Sequence, residues 1–554
     1  MSTSDDHTQD DGAFPDLTPS QLERIRAIST TQVVGPGDIL FQVGDRDYDF
    51  MFVESGEVEI VRTATPDSPE EVIVTHGAGR FMGEWNMLSG QAAFLTARVS
   101  AAGRILRVPR EDFRHLMDRD AELSDLIMRA FLARRQLMQS NGGARSVEIL
   151  GSRLSSATHA LRNWAARQQI AHVWLDIDEP GGRALAATMG VQAADLPVVV
   201  TPTGIIARAT AGAVAEELGL SFRAAPGTVY DVVVIGGGPA GLAAAVYGAS
   251  EGLTTTLLDA IAVGGQAAAS SRIENYLGFP AGISGTELTA RGLVQAQKFG
   301  ATVSTPCEVA RLHAGGGTLR LNLTDGTEVA ARAIVIATGA RYRKLPLDRW
   351  DDFEGTGIFF AATELEARTC VPDPVAVVGG ANSAGQAAIY LADRGSTVDL
   401  VVRGPDLAKE MSSYLVERVI AHPRIEVRTE TQVTALHGDD SLDEISTTDA
   451  DGATTTRKCR GLFCFIGADP STSWLDAVDL DEDGFVLTDR HLDNADLSPA
   501  WALLGRPPLP FETSVPAVFA VGDVRHGSMK RVAAAVGEGA SAIRSVHTAI
   551  APLN

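Results

Sequence analysis

The sequence predicts an α/β protein in which a strand, glycine-rich turn, helix and second strand occur twice, behind a small all-β unit and a compact α/β unit. Three observations carry this. An apolar run at residues 232–235 leads into G-x-G-x-x-G and an alanine-rich helix; a second apolar run from Val375 leads into "GGANSAG". Upstream, "GDILFQVGDRDYDFMFVESGEVEIVR" alternates short β-rich runs with Gly and Asp turns.

At 554 residues the chain exceeds one core and should hold about three to five domains. Its net charge of −23 repels polyanions and no Lys/Arg run offsets it, which excludes a nucleic-acid partner. No stretch of about 18 apolar residues offers a membrane span. The first residues, "MSTSDDHTQDDG", are acidic where a secretory signal is basic and then apolar, so a cytoplasmic protein is expected, with 1–16 a disordered tail. Cys307, Cys370, Cys459 and Cys464 form no C-x-x-C, so zinc and dithiol chemistry lack their signature. Cys464, within "LFCFIG", reads as a packed core thiol.

In chain order, "LTPSQLERI" opens a capped helix at residue 17. The β-rich runs follow, and Phe113, Leu116, Met117, Leu123, Leu126, Ile127, Ala130 and Phe131 recur at helical spacing, which bounds a first domain at 17–140. Residues 146–222 read as strand (147–150), helix (159–167), strand ("HVWLDID"), helix, strand ("LPVVVTP") and helix ("AVAEELGL"). After the linker "RAAPGT", 228–342 with 467–554 form one nucleotide-binding domain, and 343–466 form a second nested within it.

Gly236, Gly238 and Gly241, with Pro239 and Ala240 between them, form the first fingerprint. The first glycine makes the tight turn, the second admits a pyrophosphate close to backbone amides, and the third lets helix pack on strand. The helix N-terminus then stabilises the negative charge. Asp259 ends the next strand, where a carboxylate accepts from ribose hydroxyls.

"GGQ" (Gly264, Gly265, Gln266), "IENYLGFP" with Asn275, "AIVIATGA" with Thr338 and Gly339, "VFAVGDV" with Gly522 and Asp523, and "KRVAAAVGEG" from Lys530 follow in order. This set resembles the thioredoxin reductase family over residues 228–554. The resemblance implies FAD, with Asp523 on a ribityl hydroxyl and the backbone of Arg531, Val532 and Ala533 at the pyrimidine edge of the isoalloxazine. It also implies Gln266 and Asn275 near the flavin, and a homodimer.

The second fingerprint places Gly379, Ala381 and Ala384 at the three positions, with Asn382 and Ser383 between; the methyl of Ala381 stands where the pyrophosphate approaches. The next strand ends in Arg403 rather than an acid, which favours the 2′-phosphate of NADPH. The family carries a longer basic run there, whereas this chain adds only Lys409.

Where the family has its C-x-x-C, this chain has Ala361 to Glu364, and Cys370 alone forms no internal bridge. Dithiol exchange needs two sulfurs, so the usual thioredoxin reductase mechanism is excluded. Thr363 reads as a helix cap, or with Glu364 as a polar pair lining the acceptor cavity, where Glu364 could donate a proton. The unit at 146–222 resembles a thioredoxin-like domain, with Pro197 expected cis. Ser152, Ser155 and Ser156 stand where its cysteines belong, so a structural or docking role is expected.

Residues 17–140 resemble a cyclic nucleotide-binding domain, in which Gly83 and Glu84 would meet the ribose 2′-hydroxyl. Leu95 stands where the family has an Arg for the cyclic phosphate, a contact whose loss forfeits about 1.5–3 kcal/mol. Arg98 alternates to the opposite face.

The fold class is therefore two nested Rossmann-like domains, for FAD and NADPH, preceded by a β-roll cyclic nucleotide-binding-like domain and a thioredoxin-like α/β domain. The expected function is an FAD-dependent NADPH oxidoreductase without a dithiol. Its acceptor would be a small molecule or small redox protein: a ferredoxin or flavodoxin, a quinone or a small disulfide. Competing readings are a disulfide reductase that pairs Cys370 with a partner's cysteine, and a non-catalytic flavin sensor. A cyclic nucleotide is the candidate effector.

Overall fold

A computed structural model describes residues 12–551 apart from 65–68, 84–86, 88–91, 141–146, 169, 171, 202, 225–226, 271, 274, 316–317, 355, 361, 363, 440, 493–496 and 498. The chain divides into two compact units: Met1–Ser152 with Gln169–Arg223 and Gln295–Pro306, and Arg153–Gln168 with Ala224–Val294 and Cys307–Asn554.

In the first unit, helix Pro19–Arg26 starts at a reciprocal cap: Thr18 Oγ1 accepts from the Gln21 amide and Gln21 Oε1 from the Thr18 amide. A six-stranded antiparallel sheet follows, built on the long pair Phe50–Arg62 and Thr96–Val108. Helices Arg110–Arg119 and Ala121–Ser140 close over it. Phe50, Phe81, Phe113 and Phe131 are fully buried, with Phe50 stacked on Phe113 at 4.7 Å. Of the helical-spacing set, Leu116 and Leu126 are only half-buried.

The same unit contains a four-stranded sheet in which Val147–Gly151 runs parallel to His172–Asp176 and antiparallel to Val198–Val200. The Leu196–Pro197 bond is cis, as expected from the resemblance to a thioredoxin-like domain.

In the second unit, Val229–Ile235 lies between parallel strands Thr255–Leu258 and Glu328–Ile336, and Val518–Ala520 joins the latter. The register aligns their ends: Ile235 stands opposite Leu258 and Ile336, and Ile336 opposite Ala520. Gly236, Asp259, Ala337 and Val521 therefore all emerge at one edge, where open α/β sheets bind ligands. The apolar run is continuous because both faces of a parallel sheet are covered. The hairpin Val309–Gly315 with Thr318–Leu323, which the sequence pattern did not announce, extends this sheet.

A second sheet orders Ile358–Phe359, Gly461–Cys464, Val375–Val378, Val398–Val401 and Ile425–Arg428 in parallel. Strands Ala340–Tyr342 and Ala468–Pro470 pair antiparallel where the chain passes between the two sheets. The doubly wound fold class read from the motifs is what forms. Among the described residues no helix is long and apolar enough to cross a membrane.

Candidate functional site

The first turn needs its glycines for physical reasons. Gly236 has φ +106°, and a Cβ there would lie 2.3 Å from the Ala337 carbonyl oxygen; one at Gly241 would lie 1.8 Å from the Gly236 oxygen. Gly238 caps helix Pro239–Ser250 without any side-chain cap bond, leaving the first-turn amides to point outward. A Cβ at Gly238 would stand 3.9 Å from Gly265 Cα, filling the gap between two glycine backbones. Gly264 ties these loops together, its amide donating to the Gly237 oxygen at 2.7 Å.

Asp259 anchors the same loops. Its Oδ2 accepts from the Gly237 amide at 2.6 Å, and its Oδ1 from Ile261 and Ala262 at 2.9 and 2.8 Å. Burial pushes its carboxyl up while these donors pull it down. Three of about four lone-pair sites are used, leaving room for one further donor.

A second helix N-terminus arrives at the same place. Helix Val532–Ile550 begins after Arg531, again with no side-chain cap, and Gly539 lets it approach until a Cβ would sit 2.1 Å from the Ala240 oxygen. Gly522, at φ +73°, leads into the turn carrying Asp523, whose carboxyl burial raises and Lys530 lowers. Glu538, which the motif reading passed over, holds this turn. Its carboxylate accepts from the Gly522 amide (2.7 Å), Arg525 Nε (3.2 Å) and Nη2 (2.7 Å), and Ser528 Oγ (3.0 Å). An acid in mid-helix between two glycines carries no local signal of that task.

Gln266 Nε2 donates to the Ala340 oxygen, Thr338 Oγ1 to the Ser471 oxygen at 3.0 Å, and the Gly339 oxygen accepts from the Ser471 amide at 3.0 Å. These three residues thus meet at the paired crossover strands. Asn275 is exposed and Leu277 beside it is 95% exposed.

In the second turn, Gly379 has φ +141° and a Cβ there would meet the Phe465 oxygen at 2.4 Å. Ala381 caps helix Asn382–Asp393 in ordinary extended backbone, φ −94°, so its methyl costs no strain. Ala384 is buried; Asn382 and Ser383 are exposed at the helix start. Asn382 Oδ1 accepts from the Ser412 amide at 2.7 Å and from its hydroxyl at 3.1 Å, tying the turn to the loop beyond Arg403. Arg403 and Lys409 are exposed.

A model described as pyridine nucleotide-disulphide oxidoreductase matches residues 230–539, and one described as cyclic nucleotide-binding domain matches residues 31–120. The chain belongs to the pyridine nucleotide-disulphide oxidoreductase family. It is 31% identical over 317 residues to the thioredoxin reductase of Treponema pallidum, a match spanning 57% of this chain and 95% of that one. Among solved structures, T. acidophilum thioredoxin reductase is 28% identical with a TM-score of 0.51, covering 58% of this chain and 98% of its own. The Lactococcus lactis enzyme, also 28% identical, gives 0.52 over 58% and 100%. Thioredoxin reductases use FAD and NADPH, and this family member is an FAD-dependent NADPH oxidoreductase. Its two turns fit those groups, since each opens a helix, after Gly238 and after Ala381, with no side chain capping the first-turn amides.

Aromatic side chains flank the second sheet on both sides just before residue 361. Tyr342 stacks on Phe360 at 5.2 Å, Phe359 packs against Phe463 at 5.2 Å, and burial pushes the Tyr342 hydroxyl up to about 12. Glu366, 5% exposed, lies in the following helix. Helix Glu364–Cys370 starts where a Thr363 cap would place it, but Ala361, Thr363 and the Glu364 side chain lie outside the described residues. All four cysteines are free and buried, and burial pushes each thiol to about 12. Cys464 is the core thiol expected, and Cys370, donating to the Arg460 oxygen, is another.

In the N-terminal domain, Gly83 has φ +142° and Glu84 lies outside the described residues. Leu95 is 4% exposed. Arg98 is engaged by Glu59 at 3.2 Å and Glu70 at 3.0 Å. Arg134, which sequence reading missed, reaches from helix Ala121–Ser140 to the carbonyls of Gly83 (2.9 Å), Phe81 (3.1 Å) and Ala13 (2.8 Å).

Proposed function

We propose that this oxidoreductase carries electrons from NADPH through FAD to an acceptor outside the chain, using no cysteine of its own. FAD supplies two-electron chemistry on the donor side and either one- or two-electron delivery to the acceptor. With a quinone the balance is NADPH, a proton and quinone giving NADP⁺ and quinol; a one-electron acceptor is reduced twice per NADPH, releasing one proton.

Within that reading, the turn of Gly236, Gly238 and Pro239 brings the first-turn amides of Ala240 and Gly241 to the FAD pyrophosphate, and the remaining lone pair of Asp259 takes a ribose hydroxyl. Asp523 holds a ribityl hydroxyl, the backbone of Arg531, Val532 and Ala533 faces the pyrimidine edge, and Gln266 and Asn275 lie beside the flavin. Gly379, Asn382, Ser383 and Ala384 cradle NADPH, with Arg403 on its 2′-phosphate. The N-terminal domain is a regulatory module whose ligand, with Leu95 at the arginine position, is held through the Gly83–Glu84 end rather than by a phosphate clamp. A cytoplasmic homodimer with domains at 17–140, 146–222, 228–342 plus 467–554, and 343–466 completes the proposal.

The observation that carries it is the contrast between two open glycine turns and four core-buried thiols held at about 12, since only a thiolate exchanges with a disulfide. The test mixes the anaerobic FAD-loaded protein with NADPH. Bleaching of the flavin within seconds, followed by reoxidation on adding a quinone, supports the proposal; an unbleached flavin after hours refutes it.

A further inference from the structure

Two arginines, Arg110 and Arg114, lie one turn apart on helix Arg110–Arg119, next to the positions of the buried Phe113 and Met117. Arg110 is fixed by backbone. Its Nε donates to the Met87 oxygen at 2.9 Å and its Nη1 to the Arg46 oxygen at 3.3 Å, which leaves most of its fork unspent. Asp47 stands off at 3.9 Å with its side chain 88% exposed, so water screens it from Arg110.

Arg114 is half-buried, and its Nε is sealed from water with no acceptor. Among the described residues it makes neither a hydrogen bond nor an ion pair. Burial and then the like charge of Arg110 hold its guanidinium below the ordinary value, while Asp118 and Asp47, both exposed, oppose this only at a distance. Arg134 is the contrast in the same domain: 6% exposed, it spends its donors on three carbonyls. The chain carries 70 Asp and Glu against 47 Lys and Arg, so a scarcity of carboxylates does not explain the unpaired Arg114. Desolvating a charge without a partner is costly, and an anion from solution offsets that cost where no side chain does.

We propose that Arg110 and Arg114 form a binding site for a small dianion, with phosphate monoesters as the fitting class. At a helical spacing of four residues their Cβ atoms are about 6 Å apart, so one compact anion reaches both guanidinium groups. A phosphate brings two charges and several oxygens to two forks; a carboxylate neutralises only one. The site uses neither Gly83 nor Leu95 and is additional to the ligand proposed for that cassette. Through the Met87 oxygen, four residues past Gly83, Arg110 ties it to the same segment. Electron transfer from NADPH plays no part in this inference, so the two stand or fall separately.

The test is hydrogen exchange of the full-length FAD-loaded protein at about pH 8, with inorganic phosphate as the probe and chloride or acetate at equal ionic strength as controls. Reading residues 110–119 alone keeps the site apart from the nucleotide turns, which also attract phosphate. Phosphate at about twice its dissociation constant should slow exchange there about threefold, sulfate should act likewise, and Arg114→Gln should abolish the effect. Equal exchange in phosphate and chloride, equal slowing by acetate, or the same slowing in the variant overturns the site. Where Arg114→Gln does not fold, the contrast among phosphate, chloride and acetate in the unaltered protein decides by the same threefold criterion.

Discussion

Arg525 and Glu538 form a two-pronged ion pair, Nη2 to Oε1 at 2.7 Å and Nε to Oε2 at 3.2 Å, and the same carboxylate receives the Gly522 amide at 2.7 Å. Both side chains are 12% exposed, so the pair is only weakly screened. It fixes the turn that presents Asp523. Replacing Glu538 by Ala strands a buried guanidinium and frees the Gly522 amide, a loss of about 1.5–3 kcal/mol in local order. FAD affinity should fall about tenfold or more, measured by equilibrium release of flavin fluorescence. Glu538→Asp, which keeps the charge, should restore part of it.

The buried thiols predict inertness. Native protein at about pH 8 should react with no thiol reagent over minutes, and four thiols should titrate after guanidinium unfolding. Cys370→Ser should leave turnover from NADPH to a quinone within about twofold. A collapse in turnover of a correctly folded variant would restore the route through a partner's cysteine.

Arg403 stands exposed just past strand Val398–Val401, where the second ribose is expected. Arg403→Ala should raise KM for NADPH about tenfold and leave that for NADH unchanged, the signature of one lost phosphate contact. Equal changes for both nucleotides would place the 2′-phosphate elsewhere.

Asp481 accepts from the His526 ring and from the amides of Asp483 and Phe485 at 2.9 and 2.8 Å. Burial works to raise its carboxyl, but the His526 bond and these amides outweigh it and hold it below the usual carboxylate range. A carboxyl lowered on folding adds stability that is fully present above its unfolded value of about 3.9 and is lost as pH falls through the lower folded value. Asp481→Asn should therefore cost about 1 kcal/mol in urea titrations at about pH 7, and the difference should shrink below about pH 4.

The nucleotide turns were legible because their chemistry is local. A glycine forced to φ +106° at residue 236 and a helix starting three residues later leave a mark that reads without any partner in view. The same holds for the capped start at Thr18 and the apolar runs of the parallel strands. Glu538 and Arg134 were not legible, since each takes its meaning from residues distant in the chain. Arg98 shows the limit from the other side: alternation gave its face, but not that Glu59 and Glu70 already neutralise it.

The sequence alone determined the doubly wound architecture, the family and the missing dithiol, because short-range stereochemistry and residue identity decide those. Only the tertiary structure decided that the remaining thiols are sealed in cores and that a glutamate holds the flavin-side turn. Burial and charge pairing arise from packing between segments hundreds of residues apart, and no local pattern encodes which surfaces will meet.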